Sequence, residues 1–580
     1  MIEVIISFIY IALFCLTIGS GVRKVLGKWI TFPKEDVTGL IVTGIIALTT
    51  AVGWISIFFR IGAVVHVFLL IIAVLSAWYS RDELTTLWKK RQFTLADIVL
   101  AAFITVIIAF AASRGEFHTD TGIYHAAAIR LYEDYGIIKG VANIQLHYGY
   151  NSSYLGFASL FTMSFILPNA LHTTTGFLMT VFALDAVFNL KHIKQHGSHY
   201  ADAVRIAVLL YILMNYTGTV SPATDYGTML MTGYFLTKWA ELADGGIEER
   251  DCYGLLSVFA LFLVTMKLSA AMCVIVVVLP VYYLIRKREP KKTAVFLITG
   301  LLSFLFYPVR NVIISGWLFY PFEKIDLFNV PWKVPVEYSL VDSAQIKVWG
   351  RCLYDINKLD MGLSEWFPIW WEAQEHYDQM LIYGGIISVI CLILTLVMRL
   401  TGVRERSRRF RAPVVIMYIM IAANLAVWFF MAPFVRYGLI FLLSLPLLTA
   451  AGLTDTLKNI SGRENAGKGM FGAALLRYAG ITLLILTGIC YCARIDHYVM
   501  DDLVFAKQNL SAPYYISQEP FERSDMDVMY LGDARIPIYY PVGPVEKNSY
   551  YTPVSTCYDD MAERSEPMGD SVKDGFKPKR

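Results

Sequence analysis

Glu116–Tyr154 reads EFHTDTGIYHAAAIRLYEDYGIIKGVANIQLHYGYNSSY. It lies between two apolar runs and carries Glu116, Asp120, Glu133 and Asp134, the histidines His118, His125 and His147, and a dense set of tyrosines. A stretch this polar does not belong in hydrocarbon, where unpaired polar groups are costly. It is also far longer than the 2–8 residues or so that usually join two helices. It reads as a loop that carries chemistry, held at one face of a membrane by the spans around it.

The rest of the chain fits that frame. Of 580 residues, 56% are hydrophobic and only 17% charged, and mean hydropathy is +0.52. Soluble proteins carry about 25% charged residues. Many apolar runs approach the ~20 residues that span a bilayer core, whereas a β-barrel would show short alternating segments. The expected fold class is an all-α polytopic membrane protein. A formal net charge of +3 gives no footprint for nucleic acid. The eight cysteines show no paired C-x-x-C spacing, which argues against a zinc or redox centre. Cys352 and Cys557 fall on one side of the expected membrane and could pair there. Residues 1–18 lack a basic start and a small-residue cleavage site, so they read as a retained span.

Apolar runs recur from residue 3 to residue 490. Basic residues in short loops mark the cytoplasmic side. These are Arg23/Lys24/Lys28, Lys89/Lys90/Arg91, Lys191/Lys194, Arg286–Lys292, Arg404–Arg411 and Lys458/Arg463/Lys468. If the runs 152–167 and 171–190 make one crossing between them, every basic linker lies inside; if each spans, those from Lys191 onward lie outside. The first reading is preferred. It gives about 14 transmembrane helices, with 152–167 a re-entrant or interfacial helix and both termini outside. The chain divides into N-terminal helices (1–95), a core (96–492) with large extracytoplasmic loops at 114–151 and 308–377, and a small extracytoplasmic C-terminal subdomain (493–580). The last ~20 residues are expected to be disordered on composition.

With that topology the chemically loaded segments share the outer face. Asp120 leads the candidates: a carboxylate there can act as general base toward an acceptor hydroxyl, or it can simply cap the helix expected over 123–135. Glu116 is the nearby substitute, and Glu133/Asp134 read as a solvated helix end. His125 could meet a phosphate or sugar hydroxyl, or be a packed histidine bonded to a tyrosine. His118, Asp120 and His125 could imitate a metal set, although no close histidine pair supports it; no cofactor is expected, with a divalent metal as the lesser alternative. Lys267, in LFLVTMKLSAAM, places an ammonium at membrane depth, which is functional by default unless it snorkels to headgroups. Arg310 and Arg436 offer bidentate donors for phosphate, or headgroup contacts. Tyr124, Asn143, His147, Tyr150, Asn151 and Asn311 are candidates to line the substrate. The external tyrosines and tryptophans suit sugar rings, or form an interfacial belt. The inner side carries no G-x-x-x-x-G-K or G-x-G-x-x-G loop, so a substrate delivered by a lipid carrier is expected over one activated by a soluble nucleotide.

The segments Asp120–Tyr154, YPVRNVIISGWLFYPF (307–322), WKVP (332–335) and APFVRYG (432–438) together resemble a bacterial family of large multi-pass proteins whose architecture is similar to GT-C-type glycosyltransferases. The likeness covers residues 96–440 and leaves the first three spans and the tail outside. It implies a polyprenyl-phosphate sugar donor, an essential acid in the first long outer loop (a position that Asp120 occupies) and basic residues for the donor phosphate, to which Lys267, Arg310 and Arg436 are suited. The paired acidic motif of many such enzymes is not clear here. The function expected is therefore transfer of a lipid-linked sugar to a cell-surface glycan or glycolipid, on the extracytoplasmic face of a bacterial cell membrane. The alternatives are an O-antigen-type polysaccharide polymerase or ligase, and a transporter or flippase of lipid-linked oligosaccharide. The latter calls for inverted repeats and charges along mid-membrane helices.

Overall fold

A computed structural model describes residues 1–461 apart from 33–35, 91–92, 116–117, 192–198, 246–249 and 401–411, scattered positions between 478 and 489, and 516–579 apart from 522, 543–547 and 558. Glu116 and most of the run 472–490 lie outside the described residues.

The apolar runs form helices, some of which start with ordinary capping chemistry. In chain order they are α1 (Ile2–Leu26), α2 (Val37–Ile55), α3 (Ala63–Tyr79), α4 (Arg81–Lys90) and α5 (Leu95–Ala112). The 113–152 loop holds α6 (Ala126–Asp134), and α7 (Ser153–Ser159) follows it. There follow α8 (Thr174–Lys191), α9 (His199–Met214), α10 (Thr224–Gly245), α11 (Arg250–Met266), a 3-10 segment Leu268–Val277, α12 (Val278–Lys287) and α13 (Pro290–Ser315). After α14 (Val336–Gly350) and α15 (Leu363–Glu372) come α16 (His376–Leu400), α17 (Ala412–Met431) and α18 (Val435–Ser461). Asp36 caps α2, and Thr94 with Asp97 forms a capping box on α5.

Among the described residues, eight helices are long and apolar enough to cross a membrane, or nine if the pair α3 and α4, bent by 67°, is one span. The chain is a helical membrane protein. Its outward faces are apolar, as on α3, where Val64, Phe68, Ile71 and Leu75 are exposed. The buried face of the bundle is a continuous apolar core running from Val4 to Leu448.

The two ends of the bundle differ. One gathers Arg23 and Lys24 at the end of α1, Lys238 and Glu241 near the end of α10, and Lys292 at the start of α13. There Lys238 bridges Asp36 and Glu241 (3.0 and 3.1 Å), and Lys292 bridges Asp251. The other end receives the 113–152 loop, the C-terminal end of α13 and the starts of α10 and α18. The run 152–167 stays at this second end. Only seven residues of it are helical in α7, and Ser153 bonds Thr265 there. The chain then returns, so that His172 meets Gln518 of the tail before α8 begins.

The C-terminal segment docks on the same end. β1 (Met526–Leu531) pairs antiparallel with β2 (Ile536–Pro541); after a short helix α19 (Asp559–Glu563), β3 (Ser565–Pro567) pairs with β4 (Phe576–Pro578). The closing residues are therefore ordered, against their composition. Phe576 is fully buried, and its backbone N–H reaches the Lys139 carbonyl. Cys557 does not pair with Cys352: both are free thiols, and Cys557 packs on Gln145.

Glu133 is a second departure. It is not a solvated helix end but 6% exposed. Arg130 and Asp134 form the surface pair of α6 (2.6 Å), while Glu133 turns inward. There it accepts hydrogen bonds from the Thr162 hydroxyl and from Tyr551 of the tail. Burial pushes its carboxyl up from 4.5 to about 8, more than Thr162 and Arg130 bring it down. An acid raised in the folded state weakens that state as pH climbs from its unfolded to its folded value. The tail contact is therefore firmest below 4.5 and weakest above about 8. Wild-type protein in detergent should lose thermal stability as pH rises from 4.5 to about 8, and Glu133→Gln should lose less. Parallel curves for the two proteins would remove this acid from the account.

Candidate functional site

The site assembles where three helix ends meet the 113–152 loop. Asp225 stands in the first turn of α10, where a carboxylate also complements the helix dipole. Lys267 interrupts α11 and the 3-10 segment with an extended backbone (φ −163°), so its ammonium enters the bundle end at a break in the helix. Arg436 lies in the first turn of α18, just after Pro433. Asp120 precedes a π-turn, Thr121–His125, that leads into α6.

These four charges form one array. Lys267 bonds one Asp225 oxygen, and Arg436 Nε sits 3.4 Å from the other. Arg436 Nη2 reaches Asp120 Oδ2 at 3.1 Å, and Arg436 Nη1 lies 3.5 Å from His118 Nε2. Lys267 Nζ also lies 3.9 Å above the Tyr437 ring. Asp225 is 4% exposed by side chain, Asp120 29% and Arg436 39%, so the array runs from the core to the surface.

Asp120 does not cap its helix: its side chain accepts from Arg436 and from no backbone N–H. Burial works to raise its pKa, but Arg436, His118 and His125 hold the carboxyl well below the usual range. It is thus firmly ionised, and a weak base for as long as Arg436 stays paired to it. His125 is 1% exposed, and neither of its ring nitrogens has a hydrogen-bond partner. Burial lowers its pKa to about 3, so the ring is neutral; burial lowers His118 as well. The His125 ring centroid lies 4.2 Å from that of Tyr124 and 6.1 Å from that of His118.

A cavity of about 280 Å³ adjoins the array. Lys267 and Tyr437 line it on that side, and Arg310 lines it too. Leu131, Ile137, Ile138, Val427 and Met431 give it apolar walls. Arg310 is 2% exposed. Its Nε donates to Asn151 Oδ1 at 3.0 Å, its Nη1 to Ser56 Oγ, and its guanidinium lies 4.2 Å over the Tyr132 ring. All these partners are neutral. Among the described residues no carboxylate forms an ion pair with Arg310.

The expected site residues therefore separate. Asp120, Lys267 and Arg436 come together with His125 beside them, and Arg310 approaches the same cavity from α13. Tyr124, His147, Tyr150 and Asn151 line the cavity. Asn311 does not; it accepts from Asn151 (2.9 Å) and donates to the Leu318 carbonyl, so it braces Arg310 indirectly. Asn143 does not line it either, and instead ties the loop by donating to the Gly140 and Trp332 carbonyls. The central residue absent from the sequence-based set is Asp225. A lone acid at the start of an apolar helix, on the face shared with Lys267, was its signal. Asp342, which accepts from the Tyr150 hydroxyl at 2.9 Å, was also absent.

His118, Asp120 and Asp225 each offer a ligand atom, all within 4.8 Å of one another, so a divalent ion could be held there. Lys267 and Arg436 already take up both carboxylates, and an ion would have to displace them.

The chain belongs to the family described as Domain of unknown function (DUF8201), which it matches over residues 1–443. That match takes in the first three spans and all four members of the array, and stops short of the docked tail. No curated protein matches the chain.

Removing one partner of a buried ion pair strands the other, at about 3–5 kcal/mol. Asp225→Asn and Lys267→Met should each lower the melting temperature in detergent. The double variant should be more stable than the sum of the single losses by about 1–3 kcal/mol, because the two act through one contact. Additive losses would break the array into independent charges.

Proposed function

We propose that this member of the family is a membrane glycosyltransferase of GT-C type, transferring a sugar from a polyprenyl-phosphate donor to a cell-surface glycan or glycolipid. Arg310 carries the reading. A buried guanidinium whose partners among the described residues are all neutral, at the wall of a cavity with a large apolar lining, calls for an anion supplied from outside the chain. The ligand that completes it has one anionic group joined to an apolar body, which is the chemistry of a lipid phosphate. Arginine suits this because its planar donors match phosphate oxygens.

The array beside the cavity supplies the reacting groups. An acceptor hydroxyl attacks the anomeric carbon, and its proton passes to Asp120. The bond from that carbon to the phosphate oxygen breaks, and the phosphate leaves with the electron pair. Its charge develops against Arg310 and Lys267. Asp120 gains basicity as Arg436 turns from it toward the anion. Arg23 and Lys292 stand at the opposite end of the bundle from the array, beside Asp36 and Asp251, which supports an extracytoplasmic site in a cell membrane; a topology of about 14 crossings goes with that reading.

A polymerase or ligase would use the same phosphate site and differ in its need for Asp120. Arg310→Gln is expected to weaken binding of a short-chain polyprenyl phosphate in micelles about tenfold or more. Asp120→Asn should bind that probe within about threefold of wild type and lose sugar transfer. Wild-type phosphate binding by Arg310→Gln would sink the lipid-phosphate reading. Full transfer by Asp120→Asn would turn it toward the polymerase.

A further inference from the structure

The loop that carries Asp120 is held by a part of the chain far away in sequence. We infer that the Asn548–Tyr550 turn is a positioning element for this loop, clamping the Gly122 carbonyl so that the Thr121–His125 turn stays one residue wider than an α-helix. The inference concerns how the loop is set, and its hydrogen bonds stand whether or not the protein transfers a sugar.

The hydrogen bonds give the reason. In an α-helix the Gly122 carbonyl would accept from the Ala126 N–H. Here the Ala126 N–H reaches back five residues to Thr121 instead. The freed Gly122 carbonyl accepts from two tail amides, Ser549 N at 3.0 Å and Tyr550 N at 2.9 Å. The Ser549 hydroxyl donates to the next carbonyl, that of Ile123, at 3.3 Å. Two external donors thus replace the helical one, so the wide turn is compensated rather than strained.

The wide turn has a chemical result. An ordinary helix brings residues i and i+4 to one face; a five-residue turn brings i and i+5 there instead. That places His125 rather than Tyr124 behind Asp120, and His125 does act on the Asp120 charge. Only glycine fits at 122, because a side chain would run into the Asn548 amide and the Tyr550 ring. The same tail segment grips the loop at further points. Tyr551 holds Glu133 at the other end of α6, and the Cys557 N–H donates to Gln145 Oε1 at 2.8 Å.

The test uses the full chain and the variants Gly122→Ala, Asn548→Ala and their combination, with hydrogen exchange of amides 121–127 as the readout. Gly122→Ala should speed exchange there about tenfold while exchange in the α1–α2 pair is unchanged. Adding Asn548→Ala removes the colliding amide and should restore protection to within about threefold. Ser549→Pro, which deletes the Ser549 amide and hydroxyl donors and leaves the loop sequence intact, should reproduce the faster exchange. Polyprenyl-phosphate binding, which depends on Arg310, should stay at wild-type level throughout. Unchanged exchange in Gly122→Ala and Ser549→Pro, or no rescue by Asn548→Ala, overturns the clamp. Because exchange is read without any sugar donor, a failed transfer assay leaves this result standing.

Discussion

The contact on which the rest of this end of the molecule depends is the double ion pair of Asp225. Its carboxylate is buried at the start of α10 and takes Lys267 on one oxygen and Arg436 on the other. Lys267 sits at a break between two helical segments, and Arg436 at the start of α18, after the Pro433 bend. One carboxylate therefore fixes three helix ends that have no continuous backbone linking them. Burying two cations would be prohibitive without it, since a lone charge in a low-dielectric interior loses its hydration. Asp120 completes the balance through the second face of the Arg436 guanidinium, which is how the outer loop becomes part of the bundle.

Charge balance also divides the site into two parts with different tasks. Two acids and two bases neutralise one another in the array, so it can be dry and well ordered while the protein stands alone. Among the described residues Arg310 has no such counterion; Asn151, Ser56 and the Tyr132 face hold it in place without cancelling its charge. A hydrogen-bonded guanidinium over an aromatic ring is a tolerable compromise, and it keeps a full positive charge at the wall of an apolar cavity.

Much of this could be read from the sequence because charges stand out in apolar surroundings. Lys267, Arg310 and Arg436 interrupt hydrophobic runs, and Asp120 sits in a polar stretch too long to be a linker. Position was legible; partnership was not. Asp225 looks like an ordinary residue at a helix start, and only the folded chain reveals that two cations converge on it. Glu133 was misread because it adjoins Asp134: on the helix surface Arg130 pairs with the residue four positions on, and the neighbour is rotated inward. A helix follows Asp120, which leaves a cap open beside the general-base role, but the five-residue turn removes the geometry a cap needs. The tail was the least legible part. Its order comes from contacts with the loop rather than from its own composition, as Phe576 against Lys139 illustrates.

The reach of those contacts has a consequence for how the protein is made. Ser549 and the Gly122 carbonyl it serves are separated by 427 positions along the chain. At about 5–20 residues per second, the ribosome needs roughly 20–85 s to deliver the tail after the loop has emerged. Through that interval the helices can insert in order, while the loop waits with its widened turn unsupported and Glu133 lacking its tyrosine. Synthesis of the 548–557 segment, rather than insertion of the helices, is then the event that brings the loop to its final shape. A ribosome that stops before that segment leaves the helices inserted and the 121–125 turn unset.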